Sequence, residues 1–128
     1  MDFYIDENLP NKVAHALHAL EGPDGHNVYS TVDEIGAGVL DPDLIVELTK
    51  RKGIFLTHDF RMITRKNEFQ LLKEQGLTVF FISLPSGCNY SIIYQTIIGS
   101  WEDIKKICRK EKHPFLCKMK MRGKPEFL

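Results

Sequence analysis

Leu77-Thr78-Val79-Phe80-Phe81-Ile82 is an apolar run broken by a single hydroxyl, too continuous to leave either face of a strand to water. A chain with such a strand must cover it on both sides, and in parallel sheets helices do the covering. Two further runs are of strand length. Gly53-Ile54-Phe55-Leu56 ends abruptly in Thr57-His58-Asp59, and Phe3-Tyr4-Ile5 ends in Asp6-Glu7-Asn8. If these two strands lie parallel and adjacent, Asp6 and Asp59 meet outside the carboxyl ends of the strands, where open α/β sheets place their ligands.

The intervening stretches have helical spacing. Asn8 is placed to cap a helix with Pro10 in its first turn and Val13, Ala14 and Leu17 on one buried face; Glu21-Gly22-Pro23-Asp24-Gly25 ends it. His26 to Tyr29 reads as a short second strand, and residues 30–40, with Gly36 and Gly38, as a loop. Asp41 then caps a helix with Pro42 at its first position and Leu44, Ile45 and Leu48 facing inward. Lys50-Arg51-Lys52 suits the negative end of that helix, and Gly53 its C-terminal turn. Residues 65–75 form another helix carrying Phe69 and Leu72 and closed by Gly76. After Pro85-Ser86-Gly87 a long helix runs from Ser91 to Lys112, with the stripe Ile93, Ile97, Trp101, Ile104 and Cys108. Residues 115–122 alternate, with Phe115, Cys117, Met119 and Met121 on one face and Lys118, Lys120 and Arg122 on the other, which describes an edge strand with a cationic outer side. Residues 1–128 are therefore expected to form one α/β domain, a three-layer α/β/α sandwich around a mostly parallel sheet, with right-handed crossovers and a C-terminal edge strand.

Composition narrows the function classes. The chain is 43% hydrophobic, yet no apolar run approaches the ~20 residues that span a bilayer, and the N-terminus lacks a signal-peptide pattern. A cytoplasmic protein without a membrane partner is expected. Cys88, Cys108 and Cys117 are odd in number and show no CxxC spacing, so they read as reduced, mostly buried thiols. The formal net charge of +0 conceals a split: residues 1–43 hold nine acids against the single base Lys12, whereas residues 101–128 hold nine bases against four acids. Such a division suggests an acidic site beside a basic surface, ordinary solvated charge being the alternative.

Asp6, Asp41 and Asp59 occupy comparable positions, two just after strands and one opening a helix. Hard divalent cations take oxygen ligands and are held by carboxylates, water and substrate phosphate; gathered without a cation, such acids repel one another. Each acid also has a plainer reading, Asp41 as a helix cap and Asp6 and Asp59 as solvated strand ends. His58 reads as a packing or hydrogen-bonding residue, since no second histidine stands at ligand spacing. Glu7 and Asp43 read as surface or supporting groups.

The runs Phe3-Tyr4-Ile5-Asp6-Glu7-Asn8-Leu9-Pro10, Leu40-Asp41-Pro42-Asp43-Leu44-Ile45 and Phe55-Leu56-Thr57-His58-Asp59, in that order, resemble the PIN-like nuclease domains, and most closely the compact branch found among VapC-type toxins. Asp59-Phe60-Arg61-Met62 with the later Asn67-Glu68-Phe69, the Val79 to Ile82 strand and the Pro114-Phe115 tail extend the likeness over nearly the whole chain. The resemblance implies a hydrolase that cleaves RNA with Mg²⁺ or Mn²⁺. Asp6, Asp41 and Asp59 become the metal-binding set, and Glu68 a fourth catalytic acid. Arg61 stands where many relatives carry a further acid, and it either contacts the scissile phosphate or pairs with Glu68. Lys118, Lys120, Arg122 and the basic face of the last helix are placed to hold the RNA backbone, or else serve solubility at an edge strand. An antitoxin protein is the partner the resemblance implies, and the apolar residues of the tail leave a homodimer open. The alternatives are a PIN-like module that binds RNA or protein without cutting and, last, a haloacid-type phosphatase, for which Asp6-Glu7-Asn8 lacks the second Asp.

Overall fold

The computed structural model describes residues 1–128, the side chain of Asp24 excepted. Its six strands are β1 (Asp2–Ile5), β2 (Asn27–Ser30), β3 (Ile54–Thr57), β4 (Thr78–Ile82), β5 (Leu116–Met119) and β6 (Glu126–Phe127). The α-helices are α1 (Asn11–Glu21), α2 (Thr31–Glu34), α3 (Asp41–Lys50), α4 (Arg61–Thr64), α5 (Lys66–Gln75) and α6 (Tyr90–Lys110). The strands form one sheet in the order β2-β1-β3-β4-β5-β6, parallel throughout except for β6.

The apolar runs are buried on both faces because their alternate residues serve two separate cores. Phe3, Ile5, Leu56, Phe80 and Ile82 pack with Val13, Ala14 and Leu17 of α1 and with Ile97, Trp101 and Ile104 of α6. Tyr4, Phe55, Val79 and Phe81 pack on the other side with Leu44, Ile45 and Leu48 of α3, Met62 of α4 and Leu72 of α5. The expected three-layer α/β/α sandwich results. Every residue of β3 and β4 is buried, as a strand covered on both faces requires.

The connections from β3 to β4 through α5 and from β4 to β5 through α6 step the same way along the sheet but pass over opposite faces. They therefore have opposite hands, against the expectation of a single hand throughout. This rare arrangement lays α6 beside α1, the two running parallel from the carboxyl edge of the sheet to its amino edge.

Several local expectations are corrected. Asn8 does not cap α1; Pro10 takes the cap position, with no side-chain bond. Residues 30–40 are not all loop, because Ser30 Oγ accepts from Asp33 N and starts the single turn α2. Leu40, not Asp41, caps α3, so the Asp41 carboxylate is not spent on the helix end. Lys52 takes the left-handed conformation after α3 at φ 54°, and Gly53 serves another purpose: a Cβ there would lie 2.6 Å from two carbons of the Tyr4 ring. Leu116–Met119 is not an edge strand, since the two-residue β6 pairs beyond it and is itself the C-terminal edge. Lys120 and Arg122 lie in the exposed turn between β5 and β6.

Among the described residues no helix is long and apolar enough to cross a membrane. The three cysteines are free; burial pushes the thiols of Cys108 and Cys117 up to about 12 and about 11, which leaves both unreactive.

Candidate active site

In the strand order β2-β1-β3-β4-β5 the chain steps outward on both sides of β1 and β3, so the topological switch point falls between those two strands. Asp6 and Asp59 leave the sheet there. Ile5 pairs with Leu56, and Asp6 N donates to Leu56 O at 2.9 Å, continuing the ladder for one more residue.

A buried hydroxyl joins the two acids. Thr57, fully enclosed at the end of β3, donates from Oγ1 to Asp6 Oδ2 at 2.7 Å and accepts from Asp59 N at 3.0 Å. Asp6 Oδ1 accepts from Glu7 N at 2.8 Å. Asn8 belongs to this network instead of to a helix cap, its Nδ2 lying 3.5 Å from Thr57 Oγ1. Burial pushes the Asp6 carboxyl up to about 6, partly opposed by the Thr57 and Glu7 bonds and reinforced by the Asp41 charge.

Asp41 and Glu68 arrive from the covering helices. Each lies in the first turn of its helix, α3 and α5, where the positive end of the helix dipole favours a carboxylate. Partial burial raises the pKa of Asp41, and the negative charges of Glu68 and Asp59 raise it further. The four acids named from the sequence thus occupy one neighbourhood at the carboxyl edge, with Asp41 feeling Glu68 and Asp59 and in turn felt by Asp6.

Arginines partly neutralise this neighbourhood. Arg61 grips Asp59 with both prongs, Nε to Oδ1 at 2.8 Å and Nη2 to Oδ2 at 3.1 Å, and this pairing holds the Asp59 carboxyl below its ordinary value. Glu68 pairs with Arg65 at 3.1 Å, so the expected Arg61–Glu68 pair is not formed. The other Glu68 oxygen, Oε2, is buried and has no partner among the described residues. Among the described residues no group of three or more His, Cys, Asp or Glu is arranged to hold a metal ion.

The donor chemistry nevertheless fits a hard divalent cation. All four groups are carboxylates, one Glu68 oxygen is buried and unpartnered among the described residues, and burial together with the charges of Glu68 and Asp59 raises Asp41, a tension that added positive charge relieves. Asp6, Asp41 and Asp59 would hold such an ion, with Glu68 within reach of the same field.

The remaining candidates fall into place around these acids. Lys118 lies with Nζ 5.4 Å from the centre of the Phe60 ring, next to Asp59 in sequence, and Met119 O accepts from Ser83 N at the carboxyl edge. The following turn therefore carries Lys120 and Arg122 on the acids' side of the sheet. The exposed bases Lys106, Arg109 and Lys110 near the end of α6 stand at the opposite, amino edge, and Lys105 is buried against Glu21. His58 is exposed, as are Glu7 and Asp43. The parts that sequence reading missed are Thr57 as the bridge, Asn8 as its neighbour and Arg65 as the partner of Glu68. The signal for Thr57 was present: a hydroxyl closing an otherwise apolar strand needs a partner when buried.

A family model described as PIN like domain matches residues 1–84, which include all four acids, Thr57 and both arginines. No curated protein and no solved structure matches the chain.

Proposed function

The chain belongs to the PIN-like domain family, whose members are commonly nucleases, and from that premise we propose that it is a Mg²⁺- or Mn²⁺-dependent endoribonuclease, the toxin of a type II toxin–antitoxin pair of the VapC-like branch. The observation that carries this reading is the convergence of Asp6, Asp41, Asp59 and Glu68, two from strand ends and two from helix starts, on the switch point of the sheet. The bound cation would acidify the attacking water and neutralise charge on the phosphate oxygens.

The chain's own residues supply position and backbone binding. Thr57 and the Glu7 amide fix the Asp6 carboxylate, so its orientation is set before substrate arrives. The Asp59 amide is tied to the same hydroxyl, which couples the two acids through one atom. Lys118, Lys120 and Arg122 bind phosphates to either side of the scissile bond, giving affinity without sequence information. Arg61, displaced from Asp59, reaches the same phosphates. An antitoxin that offers a basic side chain to the acids would silence the site in the way Arg61 and Arg65 already neutralise half of it.

A second reading is favoured by the engagement of Asp59 by Arg61 and of Glu68 by Arg65. In it the domain binds RNA without cutting. Incubating the protein and an Asp6→Asn variant with mixed RNA, with Mn²⁺, with Mg²⁺ and with chelator, separates the two. Cation-dependent cleavage lost in the variant supports the nuclease, cleavage that survives in the variant removes the assigned site, and binding without cleavage in either selects the second reading.

A further inference from the structure

The unusual course of α6 has a result at the carboxyl edge. The helix starts beside the start of α1, and between them lies a groove of about 460 Å³ lined by Pro10, Asn11, Lys12, His15, Tyr90 and Tyr94. Tyr90 is 68% exposed, and its ring lies nearly parallel to that of Tyr94, 21° apart with centroids at 6.4 Å. The N-terminus of α6 does not need these rings, because Asn89 already caps it by accepting from Ile92 N. Lys12, the single base among residues 1–43, stands in the same groove. His15 on the groove wall is engaged by Asp33 at 2.7 Å, which leaves Lys12 as the cation facing a ligand. Pro10 follows Asp6 by four residues, and Leu9 N donates to Asp6 O at 3.0 Å, so one tight loop forms both the wall of the groove and the approach to the acids.

We propose that this groove is a subsite for unpaired bases of single-stranded RNA, with the Tyr90 and Tyr94 rings as the stacking surface and Lys12 on the adjoining phosphate. The proposal rests on the ribonuclease reading and names its substrate class. A flat pair of aromatic faces beside one cation matches a nucleotide, whose base offers a π-face and whose phosphate offers a charge. A duplex keeps its bases stacked internally and offers no face to such a pair. Both tyrosines lie outside residues 1–84, so the subsite belongs to the part of the chain that the family match does not reach.

The test is fluorescence anisotropy with labelled single-stranded RNA of about ten nucleotides and with a duplex of the same sequence, on an Asp6→Asn background that holds substrate intact. Tyr90→Ala combined with Tyr94→Ala is expected to weaken single-strand binding roughly tenfold or more, whereas Phe at both positions restores it. Lys12→Ala is expected to weaken binding and lower the salt slope by about 0.7, one contact to a single strand. Binding that is unchanged by the double alanine variant, or a duplex held as tightly as the single strand, overturns the subsite and leaves the tyrosine face to a protein partner. Cleavage by the otherwise native Tyr90→Ala/Tyr94→Ala chain with unchanged KM overturns the subsite alone. Absence of both RNA binding and cleavage in every form overturns the ribonuclease reading together with it.

Discussion

Thr57 has two duties because its hydroxyl can donate once and accept as well, and the structure uses both capacities, toward Asp6 Oδ2 and from Asp59 N. Its environment decides how Asp6 titrates. The Asp6 carboxyl, 7% exposed, is pushed up to about 6 from 3.8, so relative to the unfolded chain its contribution to stability is fully present below about pH 3.8 and is lost as pH rises through about 6. In chelator, Asp6→Asn should therefore be more stable than the parent at pH 8, by about 2–3 kcal/mol, with the difference vanishing near pH 4. Urea unfolding across that range measures it, and a constant difference would remove the assigned burial effect. Asp59 runs the other way: Arg61 depresses its pKa, so the stability from that pair is present above the ordinary carboxylate range and is lost on acidification. Since Arg61 occupies both Asp59 oxygens, Arg61→Ala is expected to tighten Mn²⁺ binding about two- to fivefold, the scale of an exposed ion pair. Isothermal titration with Mn²⁺ reads this directly, and unchanged or weaker binding would show that Arg61 does not compete with the cation.

The two helices on the α1 face are fastened at the end remote from the tyrosines. Glu21 Oε1, at the close of α1, accepts from Trp101 Nε1 at 2.6 Å and from Lys105 Nζ at 2.7 Å, with both charges almost completely buried. Burial pushes the Glu21 carboxyl up, yet the ammonium and the indole N–H outweigh it and its pKa falls. A pair of this kind contributes little over an apolar replacement but is costly to halve. Glu21→Ala should lose about 3–5 kcal/mol in urea unfolding, whereas Glu21→Leu with Lys105→Met should come within about 1 kcal/mol of the parent or exceed it. The pairing was not visible in the sequence, where Glu21 reads as part of a turn and Lys105 as one base on a solvated face. Their burial follows from α6 lying on α1, and that in turn follows from the hand of a crossover that residue patterns do not encode. The main strands were visible because a strand buried on both faces must be apolar throughout, as at Phe3 to Ile5, Ile54 to Leu56 and Val79 to Ile82. The helical stripe from Ile97 to Cys108 was visible because each residue on it is spent on one core. β6 and α2 are too short to carry a periodicity and exist through their neighbours, β5 for the one and the Ser30 hydroxyl for the other. The acids were legible because charge at the end of an apolar strand has few other uses. Their arginine partners were not, since Arg61 and Arg65 stand at sequence distances that leave either free to reach Glu68.

Across the whole molecule, the base-rich last quarter is divided between the two edges of the sheet, and only its part after β5 comes to the carboxyl edge with Asp6, Asp41 and Asp59. β5 runs parallel to β4, so the turn after Met119 brings Lys120 and Arg122 to the side of the sheet where Asp6, Asp41 and Asp59 lie, while α6 carries Lys106, Arg109 and Lys110 to the other side. A polyanion drawn to the near bases is delivered to the acids; one drawn to the far bases is not. On the ribonuclease reading, Lys120→Ala with Arg122→Ala should weaken RNA binding equally for unrelated sequences, because phosphate contacts carry no base information. The slope of log affinity against log salt should fall by about 1.4, two contacts at about 0.7 each for a single strand. Lys106→Ala with Arg109→Ala removes the same charge from the amino edge and should leave the slope unchanged between about 50 and 200 mM salt. Anisotropy titrations of Asp6→Asn protein carrying each pair separate a directed basic surface from general solubility: equal losses from both pairs would mean that net charge, not placement at the sheet edge, governs binding.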